Sequence, residues 1–254
     1  MFWQRTKPKP RIGYGALSDV GRVRAENQDA FGHFTGDRDG APREHLFIIA
    51  DGMGGHARGR EASTTAVDVV QRVFFENREG TVRQRLENAF TAANDAIHRL
   101  ALEKQPYEMM GTTCTALAFA DGFVHVAHVG DTRAYRIRRT TLEQLTTDHT
   151  VAEELLREGV LTEREAMSHP QRHALMRALG VAQHVKLDVS DPMPAEKGDY
   201  YLLCSDGLAP VSREALVSVV RSLEPQKAAE QLVQMAIEEG SEDNVTVMVI
   251  RVRS

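Results

Sequence analysis

Six short apolar runs, bounded mostly by glycine and acidic residues, constrain the fold of this 254-residue chain more than any other feature. The runs are rich in β-branched and aromatic residues, which is typical of β-strands. They cover residues 46–50, 113–119, 123–129, 133–137, 200–204 and 245–252. The pair Asp121-Gly122 lies between two of them and favours a type I′ hairpin turn, because glycine adopts positive φ at little cost. At least part of the sheet is therefore predicted to be antiparallel.

The segments with helical periodicity come in consecutive pairs. They do not alternate one by one with the predicted strands. Apolar residues recur at three- and four-residue steps over 62–75 and again over 82–102, which predicts two consecutive helices. A second pair is predicted over 213–223 and 226–239, where Pro225 stands at a position that tolerates proline at the start of a helix. Grouped strands and paired helices, without strict alternation, predict an α+β fold whose helices cover the faces of a sheet.

The composition describes an ordinary globular protein, with 42% hydrophobic and 26% charged residues, and excludes global disorder. The formal net charge is -5, so no overall positive field attracts nucleic acid or an anionic membrane. No apolar run approaches the roughly 20 residues that a membrane-spanning helix needs, and the first residues lack the apolar stretch of a secretory signal. Cys114 and Cys204 lie within apolar runs, which favours buried thiols over a disulfide. We therefore expect a cytoplasmic monomer.

Two segments differ from the rest of the chain. Residues 1–12 alternate basic residues with prolines and are predicted to form a flexible arm, which leaves 13–254 as a single domain. Residues 145–180 have room for a short helix over 146–156, but 168–173 is polar and irregular. A long segment of this kind is typical of a functional loop.

Carboxylates follow or precede several of the predicted strands, each beside glycine or asparagine. They are Asp51, Asp131, Asp206 and Asp243. Strand ends meet at the edges of sheets, so these carboxylates would repel one another unless a cation lay between them. Oxygen ligands favour Mg²⁺ or Mn²⁺ over zinc. A single Asp-Gly pair is usually only a turn, but four acids in equivalent settings favour a metal site.

A further cluster places Arg24 close to Glu26 and Asp29. By itself it is typical of a solvated turn. Beside a group of cations, however, a guanidinium is well suited to bind two phosphate oxygens at once.

Several of these motifs, in this order, resemble those of PPM/PP2C metal-dependent serine/threonine phosphatases, and the Asp-Gly-Met-Gly-Gly-His form of residues 51–56 is similar to the bacterial branch. The matching segments are 18–29, 51–56, 111–113, 130–133, 205–207 and 243–246. The resemblance runs from about residue 13 to 252. It implies a four-layer αββα sandwich, with two central, mainly antiparallel sheets flanked by helix pairs and a cleft at one edge.

Carried over to this sequence, the resemblance implies two ions of Mn²⁺ or Mg²⁺, with Asp51 bridging them and the Gly52 carbonyl completing one of them. Asp206 and Asp243 would hold the other ion, and a third ion would use Asp131 and Asp206. Glu26 and Asp29 would position metal-bound water, and Arg24 would bind the substrate phosphate. A hydroxide bridging the metals would attack phosphorus in phosphoserine or phosphothreonine, which reverses the action of a serine/threonine kinase.

Three positions depart from the family pattern. Met53 stands where animal members have a histidine proposed as general acid, and since methionine donates no proton, the substitute is His56, the nearest candidate, or metal-bound water. Gln28 replaces a common glutamate. Pro210 stands where a further acid commonly follows, so the third ion loses one ligand unless another carboxylate, such as Asp148, supplies it. Elsewhere, His128, His149 and His169 are interpreted as core or loop histidines.

Two alternatives remain at this point. The first keeps the fold but restricts the enzyme to one regulatory protein, as in SpoIIE-type phosphatases. Residues 145–180 would then form a flap beside the cleft and select the peptide. The second is a non-catalytic binding module of the same fold, which the presence of Asp51, Asp206 and Asp243 disfavours. The expected partners are phosphorylated proteins, including a cognate serine/threonine kinase and its substrates.

Overall fold

The computed structural model describes residues 11–36, 43–54, 58–76, 78–104 and 110–253. The strands within these ranges are β1 (Arg11–Asp19), β2 (Asp29–Gly36), β3 (Glu44–Gly54), β4 (Met110–Thr112), β5 (Cys114–Ala120), β6 (Phe123–Val129), β7 (Arg133–Arg138), β8 (Thr141–Gln144), β9 (Asp188–Val189), β10 (Met193–Pro194), β11 (Tyr200–Cys204) and β12 (Val245–Arg253). The helices are α1 (Arg58–Glu76), α2 (Val82–Lys104), α3 (Val151–Arg157), α4 (Glu163–Ser168), α5 (Arg213–Ser222) and α6 (Pro225–Glu238). All six predicted strands and both predicted helix pairs are present.

The strands form two sheets. The first has the order β1-β12-β11-β7-β8, and the second has the order β10-β6-β5-β3-β2, with β4 beside β3 and β9 beside β6. Every strand pairing among the described residues is antiparallel. Asp121 and Gly122 both have positive φ, 52° and 84°, which confirms the predicted turn between β5 and β6.

Side chains of β3 alternate between two different cores, because successive residues of a strand point to opposite faces. Leu46 and Ile48 pack with Phe74 and other residues of α1 and α2. Phe47 and Ile49 pack against side chains of the first sheet, including Leu203 and Ile250. A strand buried on both faces reads as a continuous apolar run, which is how the sequence of β3 reads.

A third core completes the layers. It lies between the first sheet and the helices α5 and α6, and it includes Leu202, Val249 and Leu232. The order of layers is therefore helices, sheet, sheet, helices, and the four-layer αββα sandwich is confirmed. Cys114 and Cys204 are buried free thiols, as expected. The described helices include none whose length and hydropathy together would suit it to crossing a bilayer.

The first described residues, which the sequence analysis assigned to the basic arm, lie in a strand. Strand β1 begins at Arg11, which is paired with Arg253 of β12, so residues 11 and 12 belong to the first sheet. Gly13, the first residue of the predicted domain, continues the same ladder. The rest of the arm lies outside the described residues.

The segment 145–180 contains two short helices and little other regular structure. The side chain of Thr150 accepts a hydrogen bond from the backbone of Glu153 at the start of α3. Thr162 and Glu165 form a capping box at the start of α4. The short helix predicted over 146–156 is present as α3, which begins later, at Val151. Of the segment 168–173 predicted to be irregular, Ser168 is the last residue of α4, and 169–173 is irregular. We call residues 145–180 the flap.

A buried ion pair joins β3 to both helices of its layer. Arg85 of α2 donates two hydrogen bonds of 2.8 Å to the carboxylate of Glu44, and both side chains are at most 3% exposed. The same guanidinium donates to the carbonyl of Phe74 at 3.1 and 3.0 Å. Because both charges are paired where water is excluded, removing one partner would leave the other uncompensated.

We expect Glu44→Ala to lower the free energy of unfolding by about 3–5 kcal/mol, since it leaves the Arg85 charge buried and unpaired. Glu76→Ala is the matched control, because it removes the exposed partner of Arg72 on α1 and should cost less than about 1 kcal/mol. Urea unfolding followed by circular dichroism measures both values. Equal losses in the two variants would contradict the structural role of the buried pair.

Candidate metal centre

Five aspartates meet at one edge of the sandwich, where strands of both sheets end or begin. Asp29 starts β2 and is directly opposite Asp51 of β3 in the second sheet. Asp131 follows β6 of the same sheet. Asp206 follows β11 and Asp243 precedes β12, both in the first sheet. The cluster therefore depends on the packing of one sheet against the other.

The acids raise one another's pKa values. Burial raises the pKa of Asp51 well above its ordinary value, and the charges of the other four aspartates raise it further. Burial raises the pKa of Asp29 to about 6, with additional contributions from Asp206 and Asp243 that oppose the effect of its hydrogen bonds. The pKa of Asp131 rises to about 7, through burial first and then the charges of Asp206 and Asp148. A cation within the cluster would relieve this repulsion.

Two oxygens of the cluster lack a hydrogen-bond partner among the described residues. Asp29 Oδ1 and Asp206 Oδ1 are buried and accept no hydrogen bond from the part of the chain that the structure describes. Buried polar atoms are normally satisfied, so such oxygens require an explanation, and coordination of a cation provides one. Carboxylate oxygens are the ligands that Mg²⁺ and Mn²⁺ prefer. The residues present therefore fit the divalent ions expected from the sequence.

Close backbone packing fixes the strand end that carries Asp51. Its N–H donates to Thr113 Oγ1, and its carbonyl accepts from the Thr113 N–H, both at 2.9 Å. The next residue, Gly52, is buried, and a Cβ built on it would lie 2.0 Å from the Gly59 carbonyl oxygen. A Cβ on Gly59 would in turn lie 2.7 Å from the Gly52 carbonyl oxygen. The two glycines let the first turn of α1 pack directly against the backbone beside Asp51.

Asn244 holds the loop of residues 20–28 against the start of β12. Its Nδ2 donates to the carbonyls of Val20 and Glu26 at 2.9 and 3.1 Å, and its Oδ1 accepts from the Gln28 N–H at 2.8 Å. The carbonyl oxygen of Asn244 packs closely against Gly207. A Cβ at position 207 would lie 2.1 Å from this oxygen, so the position requires glycine. The sequence contained Asn244 in a recognised motif, but its positioning role was missed.

Hydroxyl groups of the first sheet bind the carboxylate of Asp29. Ser205 Oγ donates to Asp29 Oδ2 at 2.8 Å, and Thr246 Oγ1 donates to the same oxygen at 2.5 Å. These bonds cross between the sheets and fix the orientation of the carboxylate. Neither Ser205 nor Thr246 was identified from the sequence, although both belong to recognised motifs.

Arg24 lies at the rim of the cluster, where its Nη2 donates to Asp243 Oδ2 at 2.7 Å and its side chain is 56% exposed. This hydrogen bond and the Asp243 charge raise the pKa of Arg24. Glu26 lies nearby and accepts from Arg60 Nη1 at 3.3 Å. His56, the predicted substitute for a general acid, lies outside the described residues. Seven of the nine predicted site residues thus lie in or beside the acid cluster, whereas Glu26 is placed only by its loop and by its bond to Arg60.

The structure brings together the two aspartates predicted to bind a third ion, Asp131 and Asp206. Pro210 is exposed at the surface. Asp148, the carboxylate considered as its replacement, accepts three hydrogen bonds of 2.6 to 3.0 Å from Arg133. His173 of the flap was missed, and its Nδ1 lies 3.3 Å from Asp206 Oδ2. Its only sequence signal was its position in the irregular polar run.

His128 and His149 are buried, as predicted. His128 Nδ1 is 2.8 Å from Thr115 Oγ1, and burial lowers its pKa to about 3. His149 Nδ1 accepts from the Gly130 N–H at 3.1 Å, beside the strand end that carries Asp131. His169 lies in the flap, where its Nδ1 accepts the Gln171 N–H at 3.2 Å. These contacts support structural roles.

The raised pKa values predict how stability depends on pH without metal. Asp29 and Asp131 have folded-state pKa values of about 6 and 7, above the unfolded value of about 3.9 for aspartate. The stability that this difference provides is fully present below the unfolded pKa and is lost as the pH rises through the folded pKa values. Asp206→Asn removes a charge that raises the pKa values of Asp29, Asp51 and Asp131. In EDTA, its melting temperature should therefore exceed that of the parent protein by an amount that grows between about pH 4 and pH 7.

Burial lowers the pKa of His128, and both proteins contain that histidine, so its contribution cancels. Asp206 raises the pKa of His173, so the comparison is made with His173→Ala in both proteins, and the difference between the two melting curves then isolates the acids. Differential scanning calorimetry at several pH values measures it. A difference that stayed constant with pH would contradict the proposed repulsion.

The geometry agrees with comparisons to known proteins. A family model described as protein phosphatase 2C matches residues 22–240. The chain is 39% identical over 239 residues to the serine/threonine protein phosphatase PstP of Mycobacterium tuberculosis, which covers 94% of this chain. It spans only 44% of the length of that relative. It is also 36% identical over 241 residues to the serine/threonine phosphatase stp of Listeria welshimeri, covering 92% of this chain and 93% of the relative.

A solved structure shows the same fold. The crystal structure of the catalytic domain of PstP in complex with two manganese ions has a TM-score of 0.81 and 36% sequence identity, and the match covers 96% of this chain and 99% of that one. The matched family model spans most of the chain and includes four of the five clustered aspartates within its bounds, with Asp243 just beyond it. This chain belongs to the protein phosphatase 2C family.

Proposed function

We propose that this protein is a metal-dependent phosphatase that removes phosphate from phosphoserine and phosphothreonine in proteins. The observation that carries the proposal is the cluster of five aspartates with two unpartnered buried oxygens, beside an exposed arginine at its rim. The names of the relatives support the substrate class. The manganese ions in the PstP structure support the choice of metal.

Asp51, Asp206 and Asp243, with the Gly52 carbonyl, would hold two ions of Mn²⁺ or Mg²⁺. When bound, these ions would lower the pKa of a water to supply the nucleophile and would offset charge on the phosphoryl oxygens. Asp29 contributes through Oδ1, which has no hydrogen-bond partner within the described ranges and would accept one from a water in the cleft. The bonds from Ser205 and Thr246 keep Asp29 in place for this role.

Arg24 would bind the substrate phosphate. Its guanidinium is exposed and anchored on one side by Asp243, so its other N–H groups remain available to a phosphate dianion. Glu26, close to Arg24 in the same loop, would help to position water at the rim. Both residues depend on Asn244, which binds the backbone of this loop.

The flap would select among phosphoproteins. It exposes apolar side chains, among them Val160 and Met167, which are 63% and 76% exposed. Such side chains can contact the residues around a phosphorylated serine or threonine. We propose a cognate serine/threonine kinase and its substrates as partners, and a cytoplasmic monomer as the acting form. A phosphatase restricted to one regulatory protein is the alternative, whereas a binding module without metal would not need the unpartnered carboxylate oxygens.

A peptide assay tests the proposal. With Mn²⁺ or Mg²⁺, the protein should hydrolyse a phosphothreonine peptide much faster than a phosphotyrosine peptide of the same sequence, and EDTA should abolish both rates. Phosphate release measured under the three conditions decides between a metal-dependent phosphatase and a binding module. Undiminished hydrolysis in EDTA would contradict the metal mechanism.

Arg24→Ala should raise KM for a phosphopeptide by about tenfold or more and lower kcat less, because a bond to non-reacting phosphate oxygens is present in both ground and transition states. Arg24→Lys should restore only part of the affinity, since an ammonium lacks the planar fork of the guanidinium. Steady-state kinetics measure both constants.

Arg22→Ala is the matched control. Arg22 is an exposed arginine of the same loop, and its removal changes the local charge equally. Its KM should stay close to that of the parent protein. If the two alanine variants raised KM equally, the effect of Arg24 would be one of general charge and not of direct contact.

A further inference from the structure

A compact group of three side chains lies beside the two-ion centre. One ligand atom from each of Asp131, His173 and Asp206 lies within 4.8 Å of the other two. Asp131 is 6% exposed, and the side chains of Asp206 and His173 are 18% and 55% exposed. The two carboxylates of the group are therefore largely buried, whereas the imidazole is exposed to solvent.

One buried oxygen of this group is not satisfied by the described residues. Asp206 Oδ1 is buried and has no hydrogen-bond partner among them, and the Asp131 side chain beside it is 6% exposed. His173 Nδ1 lies 3.3 Å from Asp206 Oδ2, and one imidazole nitrogen lies within 4.8 Å of an oxygen of each acid. Two nearly buried carboxylates and one imidazole thus enclose a position that favours positive charge.

The sequence suggested two other positions for a ligand, and neither supplies one. The side chain of Pro210 has no ligand atom, and Asp148 is paired with Arg133 through three hydrogen bonds. The imidazole of His173 is instead the third group within reach of both carboxylates.

We propose that His173 is a ligand of a divalent ion bound by Asp131 and Asp206, and that the nitrogen donor makes this site prefer Mn²⁺ over Mg²⁺. The inference rests on the proposed function for the existence of the neighbouring two-ion centre. Mg²⁺ binds oxygen and seldom nitrogen, whereas imidazole is a good ligand for the later divalent metals. An Asp-His-Asp set therefore discriminates between two ions that an all-carboxylate set would bind more equally.

The same ligand set links three parts of the fold. Asp131 follows a strand of the second sheet, Asp206 follows a strand of the first, and His173 belongs to the flap. The backbone around His173 is held by bonds from Val151 N–H to the Ala174 carbonyl and from Met176 N–H to the His149 carbonyl, of 3.0 and 2.7 Å. An ion at this position would therefore fix the flap against the edge of both sheets.

Metal titration of the full chain tests the inference without any measurement of turnover. Calorimetry with Mn²⁺ should resolve a weaker binding event after the two tighter ones, and His173→Ala should weaken that event by about tenfold or more. Titration with Mg²⁺ should differ by less than about twofold between the two proteins, because nitrogen contributes little to Mg²⁺ binding. His169→Ala, which removes another flap histidine outside the acid cluster, should leave all Mn²⁺ events unchanged.

Two further measurements separate ligation from a structural effect. His173→Gln retains an amide donor for Asp206 but loses the imidazole, and it should weaken the same event as much as His173→Ala. With Co²⁺ in place of Mn²⁺, the parent protein should give a shifted, exchangeable imidazole proton signal in its NMR spectrum, which both His173 variants lack and His169→Ala retains.

Unchanged weak Mn²⁺ binding in the His173 variants would overturn the inference, even if their turnover fell. That combination would give His173 a role in proton transfer or substrate contact instead. A protein that showed all three binding events but no phosphatase activity would contradict the proposed function and leave the His173 ligand in place. Thermal unfolding of each variant in EDTA checks that the fold is retained.

Discussion

Repulsion among buried carboxylates at the edge of two packed sheets is the constraint on which the rest of the structure depends. Asp51 lies close enough to four other aspartates for each of them to raise its pKa. Such an arrangement is unfavourable for an isolated protein, so the scaffold has to hold the acids together against their charge. Three separate apolar cores do this, one between the sheets and one beneath each helix pair. The inter-sheet core matters most, because the acids come from both sheets.

Most of the scaffold could be predicted from the sequence because its central strands are buried on both faces. Such strands are largely apolar runs, continuous in 46–50 and interrupted by only two polar residues in 245–252, and their length and β-branched composition identify them. The edge strands β1 and β2 were not predicted, because an edge strand of this kind is only partly buried. β1 contains Gly13 and Gly15, and β2 contains Gly32 and several partly exposed residues, so neither has a continuous apolar run. Pairing to a buried strand stabilises both: β1 pairs with β12 from the opposite end of the chain, and β2 pairs with β3, the next strand.

The residues of the candidate site also fall into two groups, those that the sequence could place and those that it could not. Acids directly beside predicted strands could be placed, because a strand end fixes where its neighbour lies. Asn244 and Thr246 acquire their roles only when the loop of residues 20–28 and Asp29 pack against them from the opposite end of the chain. His173 was harder still to identify, because the flap has no periodicity that would show which side chain faces the cleft. Local patterns carry no information about such contacts until the tertiary fold is known.

Protons and divalent ions are alternative ways to neutralise the same oxygens, and this links the stability of the scaffold to its proposed chemistry. Where burial has raised the pKa of Asp29 to about 6 and that of Asp131 to about 7, the metal-free acids hold protons that an ion must displace. Burial therefore has two opposed effects. It weakens metal binding in acid, because protons compete, and it strengthens binding once the acids ionise, because little water screens their charge. The exposed imidazole of His173 adds a ligand at the open side of this buried group, where the ion and the flap would meet.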